Sequence, residues 1–435
     1  MADDVLRLRG GRPLDGRIAV RGAKNSVPKT MVAALLTDQP CSLTNAPAIV
    51  DVALCIELFR LLGVDAAAEG DRVAIQAAAP RSLGPERMAS FHERSRIPIL
   101  LSGPLLHRLG EAFLFPPGGC RIGMRPVDFH VSALEAFGAE ITQVSEHTLR
   151  LSADRLHGAS ITFEYPSVGA TEQALLTGVV AEGDTELRNC AIEPEVMDLI
   201  AVLQKMGALI TVEADRVIRI QGQRRLRGFT HRALPDRLEA ASWGCAALAT
   251  GGRIAVQGAR QLDLLTFLNT FRRAGGDFDI VDETITFHRG DRPLRPLAVE
   301  TDVHPGFMTD WQSPLVTALT QAEGVSVVHE TVYENRLGYT KALNALGANI
   351  QTFRECLGPT RCRFGFQNHV HSAVIVGPSK LEGGELEVPD LRGGFSYVIA
   401  ALSAQGESAI HGIDIIDRGY EGFRSKLEAL GVEVL

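Results

Sequence analysis

The sequence predicts an α/β protein of two domains, built from six copies of one unit. Three observations carry that prediction. The chain has 435 residues, too long for one ordinary core. A short glycine-centred motif recurs six times, its members 68 to 84 residues apart. Each recurrence is flanked by the same series of segments: an apolar helix, a short strand, an amphipathic helix and, past the glycine, one or two more strands.

The motif reads Leu62-Gly63-Val64, Phe137-Gly138-Ala139, Met206-Gly207-Ala208, Ala274-Gly275-Gly276, Leu346-Gly347-Ala348 and Leu430-Gly431-Val432. The amphipathic segments before it are Val52–Leu62, Phe129–Phe137, Pro194–Met206, Leu262–Ala274, Tyr339–Leu346 and Tyr420–Leu430. In the third, Leu199, Val202, Leu203 and Met206 repeat at helical spacing. The glycine suits a left-handed helix C-cap. Upstream lie helices rich in Ala, Leu, Val and Ser on most faces, as buried helices are. They are Val27–Leu36, Ile97–Leu106, Thr171–Ala181, Leu238–Ala249, Trp311–Ala322 and Phe395–Ala404. Short strands follow them: Cys41–Thr44, Ala112–Phe115, Thr185–Arg188, Arg253–Val256, Ser326–His329 and Ser408–His411. Strands such as Ile210–Val212 and Arg216–Ile220 complete the unit. Three units per domain make two similar halves, residues 24–235 and residues 1–23 plus 236–435. The crossings fall near Arg21–Ala23 and His231–Pro235. The strands Val5–Leu8 and Gly16–Val20 precede the first unit and are available to pair with the second half.

Hydrophobic content of 45% and charged content of 22% are those of an average soluble globular protein. A net charge of −8 gives no support to nucleic-acid binding, so any anionic ligand must be held by locally clustered Lys and Arg. The start, Met1-Ala2-Asp3-Asp4, is acidic and leads us to expect no signal peptide. No run of 18 apolar residues predicts a membrane span. The seven cysteines are odd in number and scattered through apolar segments, which suits a reducing cytoplasm and not a disulfide framework. Cys356 and Cys362, with His369 and His371, match no common zinc spacing, so we expect no metal and an extended hairpin there.

The residues able to do chemistry cluster at the starts of the buried helices and in the loops after the short strands. Pro117-Gly118-Gly119-Cys120-Arg121-Ile122-Gly123-Met124-Arg125-Pro126 puts one thiol on a glycine-rich turn, with arginines that favour the thiolate. Gly22-Ala23-Lys24-Asn25-Ser26 and Pro166-Ser167-Val168-Gly169-Ala170-Thr171 open helices whose free N–H groups suit an anion. Ser95-Arg96, Pro235-Asp236-Arg237, Thr309-Asp310 and Asp390-Leu391-Arg392 open the others. The loops hold Glu193, Glu195, Glu334, Arg336, Asp417 and Arg418. Each alone is more often a cap or a surface ion pair; recurrence at one place in successive units argues for a site. If the halves face each other, Lys24, Arg96, Arg125, Arg336, Arg392 and Arg418 would converge on a small, multiply anionic substrate. Asp310 would then be a base and Cys120 an acid or nucleophile.

With these motifs in order along essentially the whole chain, to Asp417-Arg418-Gly419-Tyr420-Glu421, the sequence resembles the enolpyruvyl transferase superfamily. Several stretches, Ser95–Leu100 and Tyr165–Glu172 among them, resemble its actinobacterial form. The resemblance implies a two-domain inside-out α/β barrel, with three βαβαββ repeats per domain around buried helices. It implies transfer of the enolpyruvyl group of phosphoenolpyruvate to the 3-hydroxyl of UDP-N-acetylglucosamine, with release of phosphate and no cofactor, at the start of peptidoglycan precursor synthesis. Lys24, Arg96, Arg125, Arg336, Arg392 and Arg418 would bind phosphoenolpyruvate. Asp310 would take the hydroxyl proton, and Cys120 would act as acid and as the target of fosfomycin. Lys24 would complete the catalytic set. Asn25, Arg96, Arg125, Pro126, Val127, Asp128, Phe129, Tyr165, Ser167, Val168, Gly169, Asp310 and Val332 would hold the nucleotide sugar. The sequence departs from the family's pattern at Val50 and Tyr165, where many relatives carry a basic residue. Both changes remove positive charge, so an acceptor with fewer phosphates, such as uridine monophosphate in nucleoside-antibiotic synthesis, is the alternative. A non-catalytic nucleotide-sugar-binding paralogue is the other.

Overall fold

The computed structural model describes residues 5–115, 127–290, 293–359, 362 and 367–435. The chain forms two compact units. The first holds residues 22–115 and 127–234; the second holds 5–21 and the described residues from 235 to 435. Each has its own apolar core and, among the described residues, three sheets.

Five of the six sheets follow one plan. In the first unit, Ser160–Thr162 runs parallel to Asp184–Arg188, which pairs antiparallel with Val217–Gln221, which pairs antiparallel with Leu209–Glu213. The parallel pair needs a crossover, and the buried helix Val168–Gly178 supplies it. The sheet Glu111–Leu114, Thr148–Ser152, Glu140–Ser145 keeps the three antiparallel members only. The remaining sheet of this unit takes its first strand, Thr230–Arg232, from far along the chain and lays it parallel to Cys41–Thr44. The second unit is closed by two such strands. Asp15–Ala19 lies parallel to Arg253–Gln257. Val5–Arg9 lies antiparallel to Glu407–His411, with Leu6 opposite Ile410 and Leu8 opposite Ser408.

The apolar helices sit inside each unit, with the sheets around them. In Arg237–Thr250 every residue from Arg237 to Ala249 is buried. Gly244 there lets Phe287 close to within 3.1 Å of where a Cβ would stand. Trp243 packs edge-on to Phe395 of the helix Leu391–Ser403 at 4.9 Å and stacks on Phe423 at 5.6 Å. Three of these helices are capped by the side chains that the sequence puts before them. Asp236 accepts from Leu238 N and Glu239 N at 2.8 and 3.0 Å. Asp390 accepts from Arg392 N and Gly393 N at 2.9 and 3.1 Å. Ser167 accepts from Ala170 N at 3.4 Å.

All six motif glycines have positive φ: 77° at Gly63, 95° at Gly138, 100° at Gly207, 98° at Gly275, 104° at Gly347 and 77° at Gly431. Val64 N then bonds Phe59 O at 2.9 Å and Gly63 N bonds Arg60 O at 3.0 Å, and four of the other copies repeat both bonds. This is the Schellman closure that turns these five helices into their next strands.

One expected helix is divided and another starts late. The 97–106 segment forms Ile97–Leu100 and Ser102–Leu109. Pro104 has no N–H to give the Leu100 carbonyl, so the ladder opens there. The 420–430 segment begins only at Phe423, after Gly422 at φ 61°, and a separate helix, Ile413–Asp417, precedes it. The helix Pro85–Arg94 has no counterpart among the expected elements.

Candidate active site

In the second unit the helix Thr309–Leu319 carries Asp310 in its first turn. Two guanidinium groups hold that carboxylate. Arg336 Nη2 donates to Oδ1 at 2.6 Å and Arg392 Nε donates to Oδ2 at 3.3 Å. Both arginines are nearly buried, while the Asp310 side chain keeps 19% of its surface. The carboxylate is therefore the most accessible group of the three.

A second carboxylate sits behind this triad. Glu330 is fully buried directly after the strand Gly324–His329. Its Oε1 accepts from Thr301 Oγ1 at 3.0 Å, Val332 N at 2.8 Å and Tyr333 N at 3.0 Å. Its Oε2 accepts from Thr309 Oγ1 at 2.8 Å, and Thr309 in turn accepts from Arg336 Nη1 at 2.7 Å. A chain of contacts thus runs Glu330, Thr309, Arg336, Asp310. Burial works against the charge of Arg336, but Asp310 and Glu330 outweigh it and hold the group more basic than usual. For Arg392, burial is again overcome, by Tyr420 and Asp310. Arg392 Nη1 donates to the Tyr420 hydroxyl at 2.5 Å. Burial pushes that phenol up to about 12, with Arg392 opposing, so at neutral pH it is protonated and its oxygen serves as an acceptor. Arg418 follows the helix Ile413–Asp417, two residues before Tyr420, and is half-buried. Val332 is joined to the network through its N–H.

The first unit gathers two further groups of expected residues. Lys24 pairs with Asp51, next to the exposed Val50 at the start of the helix Val50–Leu61. Around them, Ser26 Oγ donates to Asp198 at 2.6 Å, and His231 joins Asp198 and Lys205, each at 2.9 Å. Lys29 reaches the Asn25 carbonyl and the buried Glu172, the latter at 3.1 Å. Burial raises the Glu172 carboxyl to about 7, Lys29 opposes, and Glu195 and Glu193 add to the rise. The other group surrounds His130, on the helix Asp128–Ala136 that follows Val127. Arg96 acts on both His130 and His92. Burial first, and then Arg96, lowers His92 to about 3 and His130 to about 4, so both rings are neutral. His130 Nε2 lies 3.0 Å from where a Cβ of Gly169 would stand, which brings the Ser167–Gly169 turn to the same place. Phe129 and Val168 are partly buried against the core there. Tyr165 precedes that turn and its carbonyl accepts from Ser167 N at 2.6 Å.

Cys120, Arg125 and Pro126 lie outside the described residues. Of the other cysteines, burial raises the thiols of Cys41 to about 11, Cys55 to about 12 and Cys190 to about 12, and raises Cys245 further still. None of these four is a reactive thiol. The sequence reading missed Glu330, Tyr420 and His130. The one signal for Glu330 is a carboxylate at the end of an apolar strand run, between His329 and Thr331.

The family model for EPSP synthase (3-phosphoshikimate 1-carboxyvinyltransferase) matches residues 8–427. The chain belongs to the EPSP synthase family. Within that family it is 49% identical over 440 aligned residues to UDP-N-acetylglucosamine 1-carboxyvinyltransferase of Protochlamydia amoebophila, covering 99% of this chain and 94% of the relative. The enzyme of the same name from Chlamydia trachomatis is 44% identical, with 99% and 97% covered, and that of Acidiphilium cryptum 42%, with 99% of each covered. Among solved structures, the enolpyruvyl transferase NikO from Streptomyces tendae superposes with a TM-score of 0.87 at 25% identity, covering 99% of this chain and 98% of that one. An EPSP synthase from Acinetobacter baumannii, at 20% identity and a TM-score of 0.73 over 99% of each chain, shares the fold. The two-domain α/β architecture of EPSP synthase family members is therefore that of this chain. Among the described residues, no helix is long and apolar enough to cross a membrane.

Proposed function

We propose that this chain transfers the enolpyruvyl group of phosphoenolpyruvate to the 3-hydroxyl of UDP-N-acetylglucosamine and releases phosphate. The observation that carries this reading is Asp310, clasped by Arg336 and Arg392 and partly open to solvent, in a chain 49% identical to a relative of that name. Protonation of the phosphoenolpyruvate methylene makes the adjacent carbon electrophilic. The sugar hydroxyl adds there and gives its proton to Asp310. Loss of phosphate and of one methyl proton from the tetrahedral adduct restores the double bond. Arg336 and Arg392 have further N–H groups for the phosphoenolpyruvate carboxylate, a task suited to the planar guanidinium. Lys24 and Arg418, with Arg125, neutralise the phosphate. Cys120 supplies the proton. Arg96, Val127–Phe129 and Ser167–Gly169 hold the nucleotide.

A second acceptor, uridine monophosphate, is favoured by one feature: Val50 presents an exposed apolar side chain beside the Lys24–Asp51 pair. Phosphate release by the purified protein separates the two. It is measured with phosphoenolpyruvate and UDP-N-acetylglucosamine, and in parallel with uridine monophosphate. Turnover with the nucleotide sugar is expected; turnover with the monophosphate alone would replace the proposed acceptor.

A further inference from the structure

In the second unit His329, Cys356, Cys362 and His371 bring one ligand atom each to a single point, all within 4.8 Å of one another. Cys356 Sγ lies 3.6 Å from Cys362 Sγ and 3.3 Å from His371 Nε2. A tetrahedral zinc ion, with bonds of about 2.3 Å to sulfur and about 2.0 Å to nitrogen, sets sulfur–sulfur edges of about 3.8 Å and sulfur–nitrogen edges of about 3.5 Å. The Cys356–Cys362 and Cys356–His371 distances already stand near those edges, and the other separations stay within 4.8 Å. We propose that these four residues form a structural zinc site, distinct from the Asp310 network.

The surroundings match what zinc requires of its ligands. Each histidine is oriented by its other nitrogen. His371 Nδ1 donates to the His369 carbonyl at 2.8 Å, which leaves the Nε2 lone pair facing the thiols. His329 Nδ1 meets Glu300 Oε2 at 3.2 Å. His329 Nε2 is fully buried and makes no hydrogen bond to any of the described residues. A buried ring nitrogen left unsatisfied is costly, and a metal at the shared point would satisfy it. Gly358 lies so close that a Cβ there would stand 2.6 Å from His329 Nδ1 and 2.4 Å from the Glu300 carboxyl carbon. The set of two sulfurs and two nitrogens, three of its four residues buried, selects a soft or borderline ion and leaves no open position for catalysis. Binding replaces the two thiol protons, which pass to solvent. His369, which the sequence grouped with the cysteines, turns its ring to Asn335 instead, at 3.0 Å.

The site ties the stretch around Cys356 and Cys362 to the end of the strand Gly324–His329. The next residue is Glu330, from which the Thr309–Arg336–Asp310 contacts depend. Elemental analysis of the full-length protein, purified under reducing conditions, tests the proposal. One zinc per chain is expected. Cys356→Ser and Cys362→Ser should each lose it, while His369→Ala should retain it. If the serine variants fail to fold, the wild-type protein still decides. Stripped of metal, kept reduced and titrated with Co²⁺, it should develop thiolate-to-cobalt charge-transfer and tetrahedral d–d bands that zinc abolishes. Reduced wild-type protein that carries no zinc and gives no such bands would overturn the site. So would zinc content unchanged in both folded serine variants.

Discussion

Glu330→Gln replaces the buried carboxylate that accepts four hydrogen bonds by an isosteric group that can accept fewer. The amide oxygen can keep the Thr301, Val332 and Tyr333 donors, each now bonded to a neutral acceptor. The amide nitrogen must then face Thr309 Oγ1, whose proton loses its partner. Hydrogen bonds to charged groups contribute about 1.5–3 kcal/mol and neutral ones about 0.5–1.5. The loss over four bonds is on the order of 4 kcal/mol, offset by the relief of burying one charge fewer. A net destabilisation of about 2 kcal/mol follows, or about 4–8 °C in the midpoint of a unit near 200 residues. The assay is direct because the chain has two tryptophans, Trp243 and Trp311, both buried in the second unit. Their fluorescence on heating reports that unit alone. Thr309→Val should cost less alone, and the double variant should show a coupling of about 1 kcal/mol or more. A midpoint within about 1 °C of wild type for Glu330→Gln would refute the reasoning, since it would mean the four contacts contribute nothing net.

Asp310→Asn can keep one arginine contact on its amide oxygen, turns an N–H toward the other guanidinium and cannot take a proton, so phosphate release should fall by about 100-fold or more in protein that still melts cooperatively; retained turnover would remove Asp310 as the base. The Glu172 carboxyl is raised to about 7 in the folded state by burial, against an ordinary value near 4.3, so its proton favours folding. That contribution is whole below about pH 4 and is lost as pH rises through about 7, leaving the first unit up to about 3 kcal/mol less stable at pH 8 than at pH 5. Glu172→Gln should flatten this slope in circular dichroism melts, and an unchanged slope would show that Glu172 is not its source. Gly207→Ala places a side chain at φ 100° where the nearest atom, on Arg227, is 3.7 Å away, so the cost is conformational alone. About 1–2 kcal/mol is expected from urea unfolding, and a neutral result would show that the helix end is free to rearrange.

The local signals were the legible ones. A glycine after a helical period and an Asp ahead of an apolar run are written in a few consecutive residues, so the six helix ends and the Asp236 and Asp390 caps were readable directly. Asp310, Arg336 and Arg392 were readable as candidates because each sits at a helix start or in a loop of its repeat, the first two in the fifth and Arg392 in the sixth. The contact of Arg392 with Asp310 was not, because it depends on how those two repeats are packed. Glu330 and His329 were hidden for the same reason: both end a strand that reads as ordinary β-sheet. His329 lies 27 positions before Cys356, and only the pairing of Gly324–His329 with Ser372–Gly377 brings it beside His371. The break near Leu101 follows from prolines that the sequence displays, but the apolar composition on either side masked it.

The strand Val5–Arg9 is needed by a sheet whose other members are made much later. Arg9 meets Glu407 across 398 residues of chain. At about 5–20 residues per second, a ribosome takes on the order of 20–80 s to supply that partner. Throughout that interval Leu6 and Leu8, fully buried in the finished sheet, belong to an unpaired edge. The first unit needs nothing beyond Leu234, so it can fold well before Glu407 is made. Translation therefore yields a folded unit joined to a sticky, waiting strand, and the nascent chain's demand for chaperones should centre on the segment that carries Leu6 and Leu8.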